Sequence, residues 1–338
     1  MSRIAVMGGG AWGTALALSL DRRGGHAITL WTHSPEVAAE IRASGENKAF
    51  LPGFPLRKQI LVTSDAGEAL RDAEIIVSVM PSHHVRRSYE LFAAYLKGDQ
   101  LLVSATKGIE DGTCLRMSQV IAEVLTPHRL ALGCAVLSGP SFAQEVAAAS
   151  PTAVTVASTD AGLATRIQQE FGSGTLRLYT NDDVIGVEMG GALKNVIAIA
   201  AGIVAGLGLG HNSTAALITR GVAEVTRLAI ACGGKQETLA GLAGIGDLVL
   251  TCTGALSRNR WVGIELGKGR PLPEILDGLS GKVAEGVRTT SAALGLARGR
   301  GVEMPIAEQV QAILLGEKHV RQAIQELMSR PGRDEQMR

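Results

Sequence analysis

The chain has 338 residues, of which 46% are hydrophobic, 19% charged and 42 glycine, with a formal net charge of +1. At roughly 100–200 residues per domain this length points to two domains, each able to bury a core. A balance so close to neutrality excludes a broad basic footprint for nucleic acid or an anionic membrane, and glycine without a period excludes a collagen-like or low-complexity chain.

The opening MSRIAVMGGG runs from the initiator Met into a short apolar strand and a glycine turn. It leaves no room for the apolar segment and cleavage site of a signal peptide, so a cytoplasmic protein is expected. Strand Ile4–Met7 leads into Gly8-Gly9-Gly10-Ala11-Trp12-Gly13 and then a helix over Thr14–Arg23, which gives Gly8, Gly10 and Gly13 the spacing of a dinucleotide fingerprint. One glycine makes the tight turn, one lets backbone N–H groups approach a pyrophosphate, and one allows close helix–strand packing. A lone GxGxxG is a common pattern; strand, turn and helix in the required order make it specific here.

The next strand, Ile28–Trp31, ends in Thr32-His33-Ser34-Pro35, where an NAD-selective site places an Asp or Glu for the ribose hydroxyls. None is present and Glu36 lies too far along, so Thr32, His33 and Ser34 are read as suiting a 2′-phosphate, which favours NADP over NAD. The plain alternative for His33 is a solvated loop residue. A helix over Pro35–Ser44 follows, then strands Ile75–Val79, Leu101–Ser104, Ala135–Leu137 and Ala153–Ala157, with helices His83–Tyr95 and Met117–Leu125 between them. Alternating β-branched runs and amphipathic segments imply a doubly wound α/β sheet whose strands pair in parallel, a Rossmann-like domain over residues 1–185.

From Val184 onward the texture becomes Ala/Gly/Leu-rich and helical, so residues 186–338 form a mostly α-helical second domain, ending in a polar tail. Its longest uncharged stretch, Val196 to Gly210, falls short of the roughly 18–20 apolar residues that cross a bilayer and reads as a buried helix. Cys114, Cys134, Cys232 and Cys252 are scattered without metal-type spacing, so neither a zinc site nor a disulfide framework is expected.

Two loops, Ser104-Ala105-Thr106-Lys107-Gly108-Ile109-Glu110 and Ser138-Gly139-Pro140-Ser141-Phe142-Ala143-Gln144-Glu145-Val146, follow apolar strands and so open at the sheet's carboxyl edge. Lys194 heads an apolar run, where an unpaired lysine is costly to bury, although a snorkelling lysine is the plain alternative. Asp247, set among small and apolar residues, needs a partner or caps a helix. The triplet Ser257-Arg258-Asn259 offers a guanidinium fork with hydroxyl and amide donors, which suits a phosphate; a solvated loop is the alternative.

Together with Gly190-Gly191-Ala192-Leu193-Lys194-Asn195, Gly244-Ile245-Gly246-Asp247-Leu248 and Ala284-Glu285-Gly286, these segments closely resemble the bacterial NAD(P)-dependent glycerol-3-phosphate dehydrogenases. Six motifs in the same order cover nearly the whole chain. The resemblance implies interconversion of dihydroxyacetone phosphate and sn-glycerol 3-phosphate for glycerophospholipid synthesis, with NADP or NAD in a cleft between the domains, no metal, and a homodimer not inserted in a membrane. It assigns Lys194 as the catalytic proton donor and acceptor and Asp247 as its partner at the substrate. Lys107, Gly139, Ser141, Ser257, Arg258 and Asn259 become substrate contacts; Gly8, Gly10, Ala11, Trp12, Gly13, His33, Lys107, Ala143, Arg258, Val283 and Glu285 become cofactor contacts. Another hydroxy-acid or 6-phosphogluconate-type dehydrogenase shares the architecture, and a non-catalytic NAD(P)-binding sensor would share the turn; the Ser257–Asn259 triplet together with the Gly139-Pro140-Ser141-Phe142-Ala143 motif distinguishes this chain from the former, and the latter has no use for Lys194, Lys107 and Asp247 together.

Overall fold

The computed structural model describes residues 1–279, 283–332 and 334–335. Its contacts separate two units, one of Met1–Lys107 with Arg116–Val184 and one of Gly108–Leu115 with the residues from Ile185 onward.

The first unit runs β1 (Ser2–Met7), α1 (Ala11–Arg23), β2 (His26–Trp31), α2 (Pro35–Ser44), β3 (Leu61–Thr63), α3 (Ala66–Leu70), β4 (Ile75–Ser78), α4 (Val85–Phe92), β5 (Leu101–Ser104), α5 (Met117–Leu125), β6 (Gly133–Ser138), α6 (Ala143–Ala147), β7 (Thr152–Ala157), α7 (Ala161–Phe171) and β8 (Leu176–Asn181). The strands form one sheet in the order β3-β2-β1-β4-β5-β6-β7-β8. All six anticipated strands are present; β3 and β8 add to them. The first six strands are mutually parallel, so their carboxyl ends share one edge. The chain leaves β1 toward β2 on one side and reaches β4 on the other, which makes the end of β1 the switch point where such sheets bind ligands.

The expectation of parallel pairing throughout fails at β6 and β7, which are antiparallel with Val136 opposite Ala157. Between them lies a helix of only five residues. That length rises about 8 Å, too little to carry the chain back along a six-residue strand of about 20 Å. The predicted helix over His83–Tyr95 is divided, with 3₁₀ turns on both sides of α4.

One core packs beneath the sheet around Val6, Leu16, Leu30, Val77, Val103 and Leu137. α2 begins cleanly because Ser34 accepts from the Val37 amide, and Pro35 needs no N–H acceptor at the first helical position.

The second unit is helical, with no strand among its described residues: α8 (Val184–Gly206), α9 (His211–Ala231), α10 (Gln236–Leu239), α11 (Asp247–Thr253), α12 (Arg258–Gly267), α13 (Leu272–Asp277), α14 (Glu285–Arg300), α15 (Pro305–Leu314) and α16 (Val320–Met328). α8 bears out the buried helix read over Val196–Gly210 and corrects its extent. It starts twelve residues earlier and has 23 residues, long and apolar enough to cross a membrane, yet 89% of its apolar window is buried inside the protein. A helix apolar on every side belongs in a core, and α8 is the centre of this one, with Val196, Ile199 and Ile203 against Leu228, Val262, Ala293 and Val310. Glu224 of α9 is also buried, and its carboxylate accepts from the Ile306 and Ala307 amides, both at 2.9 Å. It thereby caps α15, whose own Met304 has no side chain for that purpose.

Candidate active site

In the first unit, the end of β1 carries Gly8. A side chain at Gly13 would put its Cβ 1.9 Å from the Gly8 carbonyl oxygen, and at Gly8 itself 2.0 Å from that of Val79, so both close approaches require glycine. Gly10, by contrast, faces open space, with nothing within 4 Å of the position a Cβ would take. It precedes α1, whose first turn holds no acidic residue and no side-chain cap, so the amides of Gly10, Ala11, Trp12 and Gly13 have no protein acceptor among the described residues. Trp12 adds a buried indole N–H without a hydrogen-bond partner. Free amides at a positive helix end, reached across an open glycine, fit the pyrophosphate of a dinucleotide.

At the end of β2, His33 is exposed, with its ring centroid 6.2 Å from that of Trp31. Thr32 is buried beneath Gly9, and the Ser34 hydroxyl is engaged by α2, where it also donates to Glu36 at 2.6 Å. Of the three residues read for a 2′-phosphate, only His33 therefore presents its side chain. That hydrogen bond from Ser34 holds the Glu36 carboxyl below the ordinary range, so the first turn of α2 adds negative charge close to His33.

Beyond β5 and β6, the Lys107 ammonium donates to the Gly139 carbonyl at 3.1 Å and the Ser141 hydroxyl to the same oxygen at 2.9 Å. Ala143 opens α6 and packs on the core. The Arg22 guanidinium of α1 donates to the Val146 and Ala147 carbonyls, tying the far end of α6 to the helix that starts at the glycine turn. Sequence reasoning passed over Arg22, whose only signal is its place in the last turn of α1.

In the second unit, the middle of α8 and the start of α11 bring together two groups 53 positions apart: the Lys194 ammonium donates to Asp247 Oδ1. It also donates to the Thr251 hydroxyl at 2.9 Å, which in turn donates to the Asp247 carbonyl at 2.6 Å. Lys194, Asp247 and Thr251 are all buried. Asp247 is thus an ion-pair partner and not a helix cap; the cap position belongs to Gly246. Thr251 was missed, although its place one helical turn after Asp247 was a usable signal. Next to it, burial pushes the Cys252 thiol up to about 12, so this group stays protonated beside the pair.

Asn195, adjacent to Lys194, is the third residue passed over. Its amide oxygen accepts from Asn259 at 2.9 Å, and the Asn259 oxygen accepts from the Gly286 amide at 2.9 Å. This chain joins α8 to the first turns of α12 and α14, and so places the Ser257–Asn259 triplet and Glu285 next to the lysine. Ser257 caps α12 by accepting from Arg260; Arg258 stands exposed at the first helical position, but the protein packed around its guanidinium lowers its pKa from the ordinary value, against the opposing pull of the Glu285 charge. Val283 is half-buried just ahead of Glu285. A guanidinium at the start of a helix is chemically suited to an anion, on a protein of nearly zero net charge. The described residues hold no group of three or more His, Cys, Asp or Glu arranged for a metal.

Comparison with known proteins follows the division of the chain. Residues 3–164 match the family model described as NAD-dependent glycerol-3-phosphate dehydrogenase N-terminus, and residues 183–325 the corresponding C-terminus. The chain is 70% identical to the glycerol-3-phosphate dehydrogenase [NAD(P)+] of Acidobacterium capsulatum, over 99% of this chain and 100% of that one. It is 60% identical to the enzyme of the same name from Koribacter versatilis, over 99% of both. The crystal structure of glycerol-3-phosphate dehydrogenase from Coxiella burnetii superposes with a TM-score of 0.92 at 40% identity, over 97% of this chain and 99% of that one.

Proposed function

This chain belongs to the NAD-dependent glycerol-3-phosphate dehydrogenases, and on that premise we propose that Lys194 carries the proton in its reaction. The enzyme uses NAD(P)H to reduce dihydroxyacetone phosphate to sn-glycerol 3-phosphate, reversibly, in supply of glycerophospholipid synthesis. Bound NAD(P)H supplies the hydride. The residues of the chain do the rest.

As the carbonyl carbon is reduced, its oxygen gathers negative charge, and the Lys194 ammonium gives that oxygen a proton; in oxidation the neutral amine takes it back. Asp247 and Thr251 fix the direction of the ammonium, which otherwise swings on four single bonds. Arg258, with Ser257 and Asn259, takes the substrate phosphate, and Lys107, Gly139 and Ser141 bind substrate from the first unit. The amides of Gly10–Gly13 and the Trp12 indole hold the pyrophosphate. His33 contacts the adenosine ribose, Ala143 lies against the nicotinamide end, and Arg258, Val283 and Glu285 complete the cofactor contacts. Among the two cofactors NADPH is the preferred one in this reading. A cytoplasmic homodimer belongs to the same reading.

The observation that carries the assignment is the buried Lys194–Asp247–Thr251 cluster, because a buried ion pair is costly to keep for packing alone. The test is optical: oxidation of NADPH and NADH with dihydroxyacetone phosphate, and with unphosphorylated dihydroxyacetone as control. Phosphate-dependent turnover that disappears in Lys194→Ala supports the assignment, and near-normal turnover of that variant overturns it.

A further inference from the structure

Asn47 lies in the connection between α2 and β3, 38 positions from Gly9, and is completely buried. Its amide nitrogen donates to the Gly9 carbonyl and to the Thr14 hydroxyl, both at 2.8 Å, and its amide oxygen accepts from the Phe50 amide at 3.3 Å. We propose that Asn47 is a positioning residue for the cofactor: it sets the direction in which the glycine turn presents its amides. The inference rests on the reading of that turn as the pyrophosphate site.

The argument is one of peptide geometry. In a trans peptide the C=O of one residue and the N–H of the next point in opposite directions. Asn47 pulls the Gly9 carbonyl inward, so the Gly10 N–H is aimed outward, to the open side where no Cβ or protein acceptor stands. The second bond, to Thr14, fixes the first turn of α1 relative to the same peptide. One amide group thus spans the turn from the Gly9 carbonyl to the Thr14 side chain in the first turn of α1. Glycine alone would not hold this arrangement, since it is the residue with the widest choice of backbone conformations.

Asn47 is itself held rigidly. The Leu51 amide donates to its carbonyl at 2.8 Å, Leu51 and Leu56 bury their side chains in the core of the unit, and the Leu56 amide closes the segment on the Gly45 carbonyl at 2.7 Å. Both amide hydrogens and the amide oxygen are used within the protein. With both hydrogens engaged and its side chain completely buried, Asn47 does not reach a ligand, which is why the role is one of positioning.

The test is fluorescence titration of NADPH and NADH into wild-type and Asn47→Ala enzyme, with thermal melting on the same samples and 2′-AMP as a competitor that lacks the pyrophosphate. The expected result is a loss of affinity on the order of tenfold for both dinucleotides. Their ratio and the 2′-AMP inhibition constant should stay unchanged, as should KM for dihydroxyacetone phosphate at saturating cofactor. Asn47→Ser, with a shorter donor, should give a smaller loss of the same pattern and serves as well if the alanine variant does not fold. A lower Tm with unchanged dinucleotide Kd would overturn the proposal, leaving Asn47 a purely structural residue; so would an equal loss for 2′-AMP. Wild-type enzyme that fails to bind either dinucleotide would instead strike the reading of the turn itself.

Discussion

In the first unit four consecutive residues, Gly10–Gly13, present main-chain amides and almost no functional side chain; in the second, Lys194, Asn195, Asp247, Thr251 and Asn259 converge from α8, α11 and α12 with all their chemistry in side chains. The first arrangement is local, and its demands are steric: no Cβ here, open space there. The second is assembled across the fold, and its demands are electrostatic, because two opposite charges are buried and each needs the other. A phosphate of fixed charge is well served by amides that never titrate, whereas proton transfer requires a group that can give up its charge.

The sharpest way to break this contrast is Lys194→Met, which keeps the length of the side chain and removes its charge. Turnover should fall by about 10²–10⁴-fold, the range of a lost general acid, while the Kd for NADPH measured by fluorescence stays as in the wild type. The variant also leaves Asp247 buried without its cation, at a cost of about 3–5 kcal/mol, visible in urea unfolding. Addition of Asp247→Leu should recover part of that stability and none of the activity. Turnover above a tenth of the wild-type value would mean that another group carries the proton.

The glycines give the next largest effect. Gly13→Ala should destabilise by about 1–3 kcal/mol through overpacking, since the new Cβ stands 1.9 Å from the Gly8 oxygen. Helix propensity alone would stabilise the same change by about 1 kcal/mol, so a rise in Tm would refute the close approach. At Gly10, where the space is open, alanine should leave stability within about 0.5 kcal/mol and weaken NADPH binding only.

Thr251→Val tests the accessory acceptor of the lysine. One hydrogen bond lost in the transition state corresponds to roughly a tenfold fall in kcat, with KM for dihydroxyacetone phosphate unchanged; an unaltered kcat would show that Asp247 alone directs the ammonium.

The smallest effect concerns the other buried carboxylate of the second unit. Burial raises the Glu224 carboxyl from an ordinary value of 4.5 to about 7, against the opposing pull of the Ala307 and Ile306 amides and of Arg227, with Glu308 adding to the rise. Between those two values the folded protein holds a proton that the unfolded chain has released, so this group's stabilising contribution falls as pH rises from about 4.5 to about 7. Glu224→Gln should flatten that slope in a plot of Tm against pH from 5 to 8. An unchanged slope would show that Glu224 stays ionised across the range.

How far the fold was legible differs between the same two regions. β1, the glycine turn and α1 could be placed from a stretch of about twenty residues, because strand period, turn glycines and helix formers are local signals. β3 escaped notice, being three residues long with Leu61 exposed. β8 escaped because its Leu176 and Leu178 alternate with polar residues at an edge of the sheet. The antiparallel turn between β6 and β7 was equally out of reach, since the pairing direction depended on how much helix the connection could form.

Sequence by itself determined the alternation of strands and helices, the identity of the glycine turn, the change to a helical second unit and, through six ordered motifs, the family. Only the tertiary structure decided which polar groups meet. That Thr251 joins Lys194 and Asp247, a pair the resemblance already implied, that Asn259 is held by Asn195 and Gly286, and that Asn47 returns to the Gly9 carbonyl are outcomes of packing between segments tens of residues apart. The physical reason is range: backbone propensities act over a few neighbouring residues, while the partner of a buried polar group is whatever the fold brings within about 3 Å.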